Sequence, residues 1–135
     1  NMFVAGFIGA PSMNFIQCKV DNDRFIAEDI YLPIPEKFLK AMSKYQSKDI
    51  IMGIRPEDIH DEKYSQTVKN KSEIMANIKV VEKLGSENLL YFDKWGNTIT
   101  ARVSSKSKIV YGDKAKIVFD MDKIHIFDKE TEMAI

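Results

Sequence analysis

The stretch Ile74-Met75-Ala76-Asn77-Ile78-Lys79-Val80-Val81 places small and apolar side chains at alternate positions. Because successive side chains of a β-strand point to opposite faces, this period of two predicts a strand with one buried face. The same alternation returns twice further along the chain, in Ile99, Ala101 and Val103 and in Ala115, Ile117 and Phe119. The turn-like sequences Lys94-Trp95-Gly96-Asn97 and Tyr111-Gly112-Asp113 separate these alternating segments. The second half of the chain is therefore predicted to be a run of short strands.

The first half of the chain supplies the remaining elements. Its patterns predict a half-buried strand over 13–20, a return strand over 24–32 and a short apolar strand over 49–54. Residues 60–72 are polar and are predicted to form a partly mobile loop. One amphipathic helix is predicted to begin at Pro35, and its apolar stripe is expected to pack on the core through Phe38, Leu39, Met42 and Tyr45. Five or six strands with few helices favour a small β-barrel.

Length, charge and cysteine content exclude several classes of protein. The 135 residues fit one domain with its own core. Lys plus Arg and Asp plus Glu number 20 each, so the formal net charge is zero and no general basic field attracts nucleic acid. Cys18 is the only cysteine, which excludes an internal disulfide and a zinc site built on thiolates. No apolar run reaches the roughly 18 residues of a membrane span and no signal-peptide pattern is visible, so a cytoplasmic location is expected.

No catalytic constellation stands out. His60 and His125 lie far apart without a metal-ligand pattern, and His125 is expected to be exposed because it alternates with Ile124 and Ile126. Cys18 is expected to be a buried, inert thiol. No glycine-rich loop followed by Lys and Ser or Thr is present, so these residues are expected to bind no nucleotide. We therefore predict no catalytic residue, no cofactor and no metal for this chain.

A single-strand nucleic-acid binder is one alternative, since small barrels bind single strands through a basic groove and aromatic platforms. The candidate residues for the basic rim and for stacking are Lys69, Lys71, Lys106, Lys108, Tyr91, Phe92 and Trp95. Acidic residues are interleaved throughout the chain and balance the lysines, so nucleic acid is not expected as a partner.

Arg55, Glu57 and Glu82 are the candidate interface or regulatory residues. Arg55 follows an apolar strand and precedes Pro56, so its planar guanidinium is held at a strand end, where it suits a carboxylate or an oxyanion. The alternative is a structural ion pair with Glu57 or Glu82. Glu82 continues the apolar register of Ile78 and Val80, so it is expected to be buried and to need a partner.

The opening segment is unusually apolar. Phe3 and Phe7 are four positions apart, as are Val4 and Ile8, which predicts a short helix that ends at Gly9 and Pro11. Two interpretations remain open for this helix: a connector from a preceding domain, or an ordinary helix docked on its own core. In the first case, Phe3 and Phe7 are expected to be partly exposed and to favour association.

Four segments in order along the chain resemble one family of proteins. These are Phe3 to Phe15, Gly53-Ile54-Arg55-Pro56-Glu57, Val81-Glu82-Lys83-Leu84-Gly85-Ser86-Glu87 and Lys123 to Asp128. They are similar to the C-terminal regulatory domain of the ATP-binding subunits of sugar-importing ABC transporters, of the maltodextrin and multiple-sugar type. The resemblance implies a mainly β fold, a small antiparallel barrel of the OB-like, TOBE type with one inserted amphipathic helix.

The resemblance also implies a function. Residues 1–11 are expected to connect to an upstream ATPase domain, and residues 12–135 to form a regulatory domain that pairs with its twin in a homodimer. ATP, magnesium and the contacts with permease subunits are expected in that missing domain, at the cytoplasmic face of the membrane. A regulator from the phosphotransferase system is a further partner that the resemblance suggests. Related barrels in molybdate systems suggest an alternative, a small-ligand or oxyanion sensor that uses Arg55 and the 104–108 loop.

Overall fold

The computed structural model describes residues 12–135, and strands make up most of it. The connector predicted over 1–11, with Phe3 and Phe7, lies outside the described residues. Within residues 12–135, no helix has the length and apolar character that crossing a bilayer requires. The elements of the described part are β1 Asn14–Asp21, β2 Arg24–Ala27, β3 Ile30–Pro33, α1 Glu36–Met42, β4 Asp49–Ile54, β5 Ile59–Asp61, β6 Lys71–Lys83, β7 Glu87–Lys94, β8 Asn97–Ser104, β9 Lys114–Asp120 and β10 His125–Asp128, with short 3-10 helices at Ser43–Tyr45, Pro56–Asp58, Glu62–Tyr64 and Met121–Lys123.

The strands form two five-stranded sheets in which the paired strands are antiparallel. The first has the order β10-β4-β1-β2-β3 and the second the order β5-β9-β6-β7-β8. The two edge strands of the second sheet, β5 and β8, also pack against each other, so this sheet curls towards closure. The prediction of a mainly β, OB-like barrel with one inserted helix is confirmed.

One apolar core lies between the sheets. Buried side chains alternate with exposed ones along β1 and along β6 up to Ile78, as the period of two requires. Phe25, Phe92 and Phe119, from three different strands, are fully buried. Each such side chain stabilises the fold by about 1.5–3 kcal/mol through the apolar surface it removes from water.

The apolar side chains of the inserted helix that were predicted to pack on the core do so, with one exception. Met42 is fully buried, and Phe38 and Tyr45 pack against the core at the edge of the stripe. Leu39, which we expected to pack, is 37% exposed. The helix ends at Met42 and continues as a 3-10 turn, so the last residues of the stripe have a different rotation from an α-helix.

Two predicted segments differ from the structure. The return strand over 24–32 is two strands, β2 and β3, joined by a tight turn in which Glu28 has a φ of +55°. The loop over 60–72 is shorter than predicted, because β5 includes His60 and Asp61 and β6 begins at Lys71. Neither difference has a clear sequence signal, since the turn lacks glycine and asparagine and β5 holds one apolar residue, Ile59.

A buried polar side chain joins the two sheets. Asn14 in β1 is 7% exposed, and its amide nitrogen donates to the carbonyl oxygens of Ile54 in β4 at 3.1 Å and of Thr100 in β8 at 2.9 Å. Its amide oxygen accepts a hydrogen bond from the Thr100 N–H at 2.9 Å. The side chain thus pairs with the edge of β8 as a neighbouring backbone would, and all its polar atoms are used.

We expect Asn14→Asp to reduce the free energy of unfolding by about 3 kcal/mol, because a carboxylate oxygen would replace a donor between two carbonyl oxygens in a buried site. Urea unfolding followed by circular dichroism measures this loss. Asn97→Asp is the matched control, since the Asn97 amide donates to the Phe15 carbonyl at 3.1 Å on the exposed surface and its loss costs less than about 1 kcal/mol. Equal losses in both variants would contradict a special role for Asn14.

Candidate functional site

Arg55 lies at the end of β4, where the chain leaves the first sheet. Gly53 and Ile54 before it are buried, while Arg55 is half-buried. The backbone of Arg55 is extended, and its carbonyl accepts a hydrogen bond from the Asp58 N–H at 2.9 Å across the 3-10 turn that Pro56 begins. The strand end and the turn therefore fix the backbone from which the Arg55 side chain extends at the rim of the sheet.

Gly53 in the same motif has a packing role. A Cβ atom at this position would overlap the sulfur of Met13 and approach the ring of Phe127 to 3.0 Å. The backbone of β4 is therefore covered closely on this face, and the side chains of Met13 and Phe127 occupy the space that glycine leaves open.

The guanidinium of Arg55 has no hydrogen bond or ion pair among residues 12–135. The structural ion pair with Glu57 or Glu82 is thus not formed in this part of the chain, and Glu57 is exposed. The charge of Arg55 acts instead on His125, whose pKa is lowered first by partial burial and then by Arg55, against an opposing effect of Asp58. Arg55 therefore presents its donors at the rim without a partner in the described domain, and its interface or ligand role stays a prediction.

Glu82 is exposed, which corrects the expectation that it shares the buried face of Ile78 and Val80. Ile78 pairs with Phe92 and Val80 with Tyr91, so Lys79 is an extra residue that forms a β-bulge. The bulge reverses the alternation, and Val80 is 43% exposed. Glu82 still has a partner, because the Tyr91 hydroxyl donates to its carboxylate, and this hydrogen bond raises the pKa of Tyr91.

Beyond the bulge, the β6–β7 hairpin continues with β6 as an edge strand, while β7 stays paired with β8. The β6–β9 ladder ends at Asn77 and Lys114. Ile78 then bonds to the turn at 112–113: its carbonyl accepts from the Gly112 N–H at 2.8 Å, and its N–H donates to the Asp113 carbonyl at 2.9 Å. From Val80 onwards β6 pairs with β7 alone. The segment 81–87, which carries the third motif, therefore forms the end of this hairpin, where Gly85 turns with a φ of +90°.

Four large apolar side chains are exposed on the hairpin and on the turn beside it. Their exposed fractions are 43% for Val80, 51% for Leu84, 52% for Val110 and 77% for Tyr111. We call these four residues the hairpin patch. No sequence signal identified them, because the exposure of Val80 depends on the bulge and that of Val110 and Tyr111 on the packing of a turn.

The aromatic residues proposed for base stacking do not form a platform. Phe92 is fully buried. The Trp95 indole N–H donates to the Ala27 carbonyl at 3.1 Å, and its ring lies edge-on to Phe119 at 6.1 Å between centroids. Tyr91 is half-buried and bonded to Glu82. The nucleic-acid alternative thus loses the stacking surface on which it depended.

The remaining candidates have structural roles or stay isolated. Cys18 is buried, and burial raises the pKa of its thiol to about 12, as expected for an inert cysteine. His125 is exposed as predicted. Among residues 12–135, no three His, Cys, Asp or Glu side chains are grouped so as to hold a metal ion. The 104–108 loop is anchored by the Ser107 hydroxyl, which donates to the buried Asp61 carboxylate at 2.7 Å.

A polar cleft of about 450 Å³ lies where the end of β10 meets the segment before β4. Two contacts join side chains that line it: the Tyr45 hydroxyl donates to Asp128 at 2.8 Å, and Lys129 lies 3.5 Å from Asp49. Backbone bonds from Thr131, and then the bond from Tyr45, lower the pKa of Asp128. These contacts tie the C-terminal turn to the sheet.

Comparison with known proteins shows which family this chain is similar to. Residues 9–59 match the family described as the MalK OB fold domain. Over its whole length the chain is 44% identical to the uncharacterized ABC transporter ATP-binding protein YcjV of Escherichia coli O157:H7, of which it covers 37%. It is 41% identical to the oligosaccharides import ATP-binding protein MsmX of Bacillus subtilis and 40% identical to the trehalose/maltose import ATP-binding protein MalK of Thermococcus litoralis, covering 38% and 37% of them.

A solved structure supports the fold alone. The cytoplasmic molybdate-binding protein ModG matches with a TM-score of 0.53 at 12% identity, over 84% of this chain and 94% of that one. The chain is therefore an OB-fold domain related to the ATP-binding proteins of sugar-importing ABC transporters, which confirms the resemblance found in its motifs. It spans about 37% of the length of the curated relatives it matches.

We expect Arg55→Gln to leave the free energy of unfolding unchanged within about 0.5 kcal/mol, because no contact within the described domain depends on the charge. Urea unfolding measures the difference. Arg102→Gln is the control: Arg102 lies 3.4 Å from Glu87 across β7 and β8, and loss of this half-buried pair costs up to about 1 kcal/mol. If Arg55→Gln reduces the free energy of unfolding by more than about 1 kcal/mol, Arg55 forms a structural ion pair instead.

Proposed function

We propose that the chain is the regulatory and dimerisation domain of the ATP-binding subunit of an ABC transporter that imports sugars. The observation that carries this proposal is the similarity of all 135 residues to one part of ATP-binding proteins whose names include oligosaccharide, trehalose and maltose import. In this function the domain acts through protein contacts, holding two subunits together while their ATPase domains open and close.

The position of the motifs supports an action by contact. Arg55 and Glu57 lie at a sheet rim, and Glu82 lies in an exposed hairpin. Each is accessible, and within residues 12–135 none belongs to a group of side chains arranged for catalysis. Residues of this kind suit the recognition of another polypeptide, since charged and apolar groups on a rigid rim position a partner.

The rest of the proposal concerns a longer protein. Residues 1–11 connect this domain to an upstream ATPase domain, which binds ATP and magnesium and contacts the permease subunits. The whole subunit then lies at the cytoplasmic face of the membrane, and a phosphotransferase-system regulator is a candidate partner of the domain. Hydrolysis of ATP belongs to that subunit and not to residues 12–135.

A small-ligand or oxyanion sensor is a second candidate, because Arg55 presents a guanidinium without a partner in the described domain. Isothermal titration calorimetry with sulfate, molybdate and maltose distinguishes the two functions. A sensor releases or takes up heat with one of these ligands, and Arg55→Gln abolishes that heat. A contact domain gives no heat with any of them, which is the result we expect.

The proposed function predicts that this chain can replace the corresponding part of MsmX. In a Bacillus subtilis strain without MsmX, we expect a chimera with this chain to restore oligosaccharide uptake, whereas MsmX truncated before this part does not. Labelled oligosaccharide uptake is the measurement. Sedimentation of the purified subunits tests whether dimerisation is the cause of the difference in uptake, since the chimera is expected to pair more tightly than the truncated subunit.

Wild-type MsmX and an empty vector are the controls for uptake. If the truncated subunit and the chimera pair and transport equally well, the domain has no dimerising role. If the chimera hydrolyses ATP but restores no uptake, this chain is not a domain of a sugar importer.

A further inference from the structure

We propose that a groove beside β9 binds an extended, acidic segment of another protein, which adds to β9 as a short extra strand. The groove has a volume of about 230 Å³, and residues 61–63, 108–109 and 113–116 line it. We call it the β9 groove. Binding there needs residues 12–135 alone and does not depend on the proposed function.

One side of β9 lacks a strand partner where the groove lies. β6 pairs with β9 over 114–120, whereas β5, on the other side, pairs with 117–119 only. The chain leaves β5 at Asp61 and turns into the 3-10 helix Glu62–Tyr64, so no strand among residues 12–135 lies on this side at 114–116. An open strand edge of this kind is a template for an additional strand.

The alternation of ladder bonds shows which backbone groups face the groove. At one end of the β6–β9 pairing, the Met121 N–H donates to the Asn70 carbonyl at 2.9 Å. Since every second residue of an antiparallel strand bonds to a given neighbour, the odd-numbered residues of β9 bond to β6. The N–H and C=O of Lys114 and the N–H of Lys116 therefore point to the opposite side, where an incoming strand can bond to them.

Four lysines give the groove its positive groups. Lys63, Lys108, Lys114 and Lys116 all line it, and all four are exposed. Within residues 12–135, only Lys116 has an ion-pair partner, Glu73, at the long distance of 4.0 Å. The ammonium groups of the other three are free to meet the carboxylates of a partner.

The carboxylates that line the groove are mostly used by the domain itself. Asp61 is 5% exposed and accepts from the Ser107 hydroxyl at 2.7 Å. Asp113 accepts from the Val110 N–H at 2.9 Å. Glu62 is the third carboxylate of the lining, so four lysines face three carboxylates of which two are engaged. The groove therefore presents positive charge to a partner although the chain as a whole is neutral.

These features favour an acidic peptide over other occupants. A second copy of β9 would set lysines against lysines, and like charges on adjacent strands destabilise their pairing. A nucleic acid carries no peptide groups for the strand edge. An extended peptide with acidic residues at alternate positions supplies both requirements, since its backbone continues the ladder and its carboxylates lie on the face of the lysines.

Fluorescence anisotropy of a labelled peptide, acetyl-Glu-Val-Glu-Val-Glu-Val-Glu-amide, titrated with the purified chain tests the proposal. We expect saturable binding with a dissociation constant below about 1 mM. The groove variant carries Lys114→Ala and Lys116→Ala, and the matched control carries Lys40→Ala and Lys44→Ala, two exposed lysines outside the groove. The dissociation constant is expected to rise at least about fivefold in the groove variant and to stay within about twofold in the control.

Hydrogen exchange of the Lys114 amide provides a second measurement, on the unchanged chain. If the peptide adds as a strand, this N–H gains a ladder bond, and its exchange is expected to slow at least about tenfold at saturating peptide. Amides of β3, in the other sheet, are expected to keep their rates. Circular dichroism verifies that both lysine variants are folded.

Each contrary outcome overturns a stated part of the proposal. Absence of peptide binding at about 1 mM, or equal weakening in the groove variant and the control, overturns the groove as the site. Binding that leaves the exchange of the Lys114 amide unchanged overturns strand addition. Tighter binding of a thymidine oligonucleotide than of the peptide overturns the acidic polypeptide as the occupant. None of these results decides the proposed function, which uptake by the MsmX chimera tests separately.

Discussion

The pairing of the Asn14 side chain with the edge of β8 is the contact on which the arrangement of the two sheets depends. β8 is the outer strand of its sheet, and its backbone groups need partners if they are covered. Asn14 supplies a donor and an acceptor to Thr100 and a second donor bond to Ile54. One buried side chain therefore links β1, β4 and β8, because a carboxamide carries two N–H donors and an acceptor oxygen at its tip.

The same contact connects the two places where the motifs lie. Ile54, whose carbonyl accepts from Asn14, directly precedes Arg55 at the sheet rim. Thr100, on the other side, is the register partner of Tyr91, which bonds to Glu82 in the hairpin. The Arg55 rim and the hairpin are thus joined by one continuous series of contacts. Such a connection suits a domain that works by contact, because it relates the positions of separate surfaces.

The sequence predicted the elements whose pattern is local. Alternation located β6 as far as Ile78, and the strand end before Pro56 located Arg55. It failed for Glu82, because a bulge at Lys79 leaves no trace in composition and a one-residue shift exchanges the two faces of a strand. The hairpin patch and the Asn14 contact could not be predicted from the sequence for a similar reason, since both depend on which distant strands become neighbours.

Native-state hydrogen exchange of the Thr100 amide tests most directly whether the sheets form one cooperative unit. An amide on an outer strand usually exchanges through local opening, long before the protein unfolds. If Asn14 holds β8 as described, the Thr100 amide exchanges only with global unfolding, as slowly as the amides at the centres of β1 and β6. Exchange as fast as that of the outer strand β3 would contradict the account, because the two sheets would then open independently.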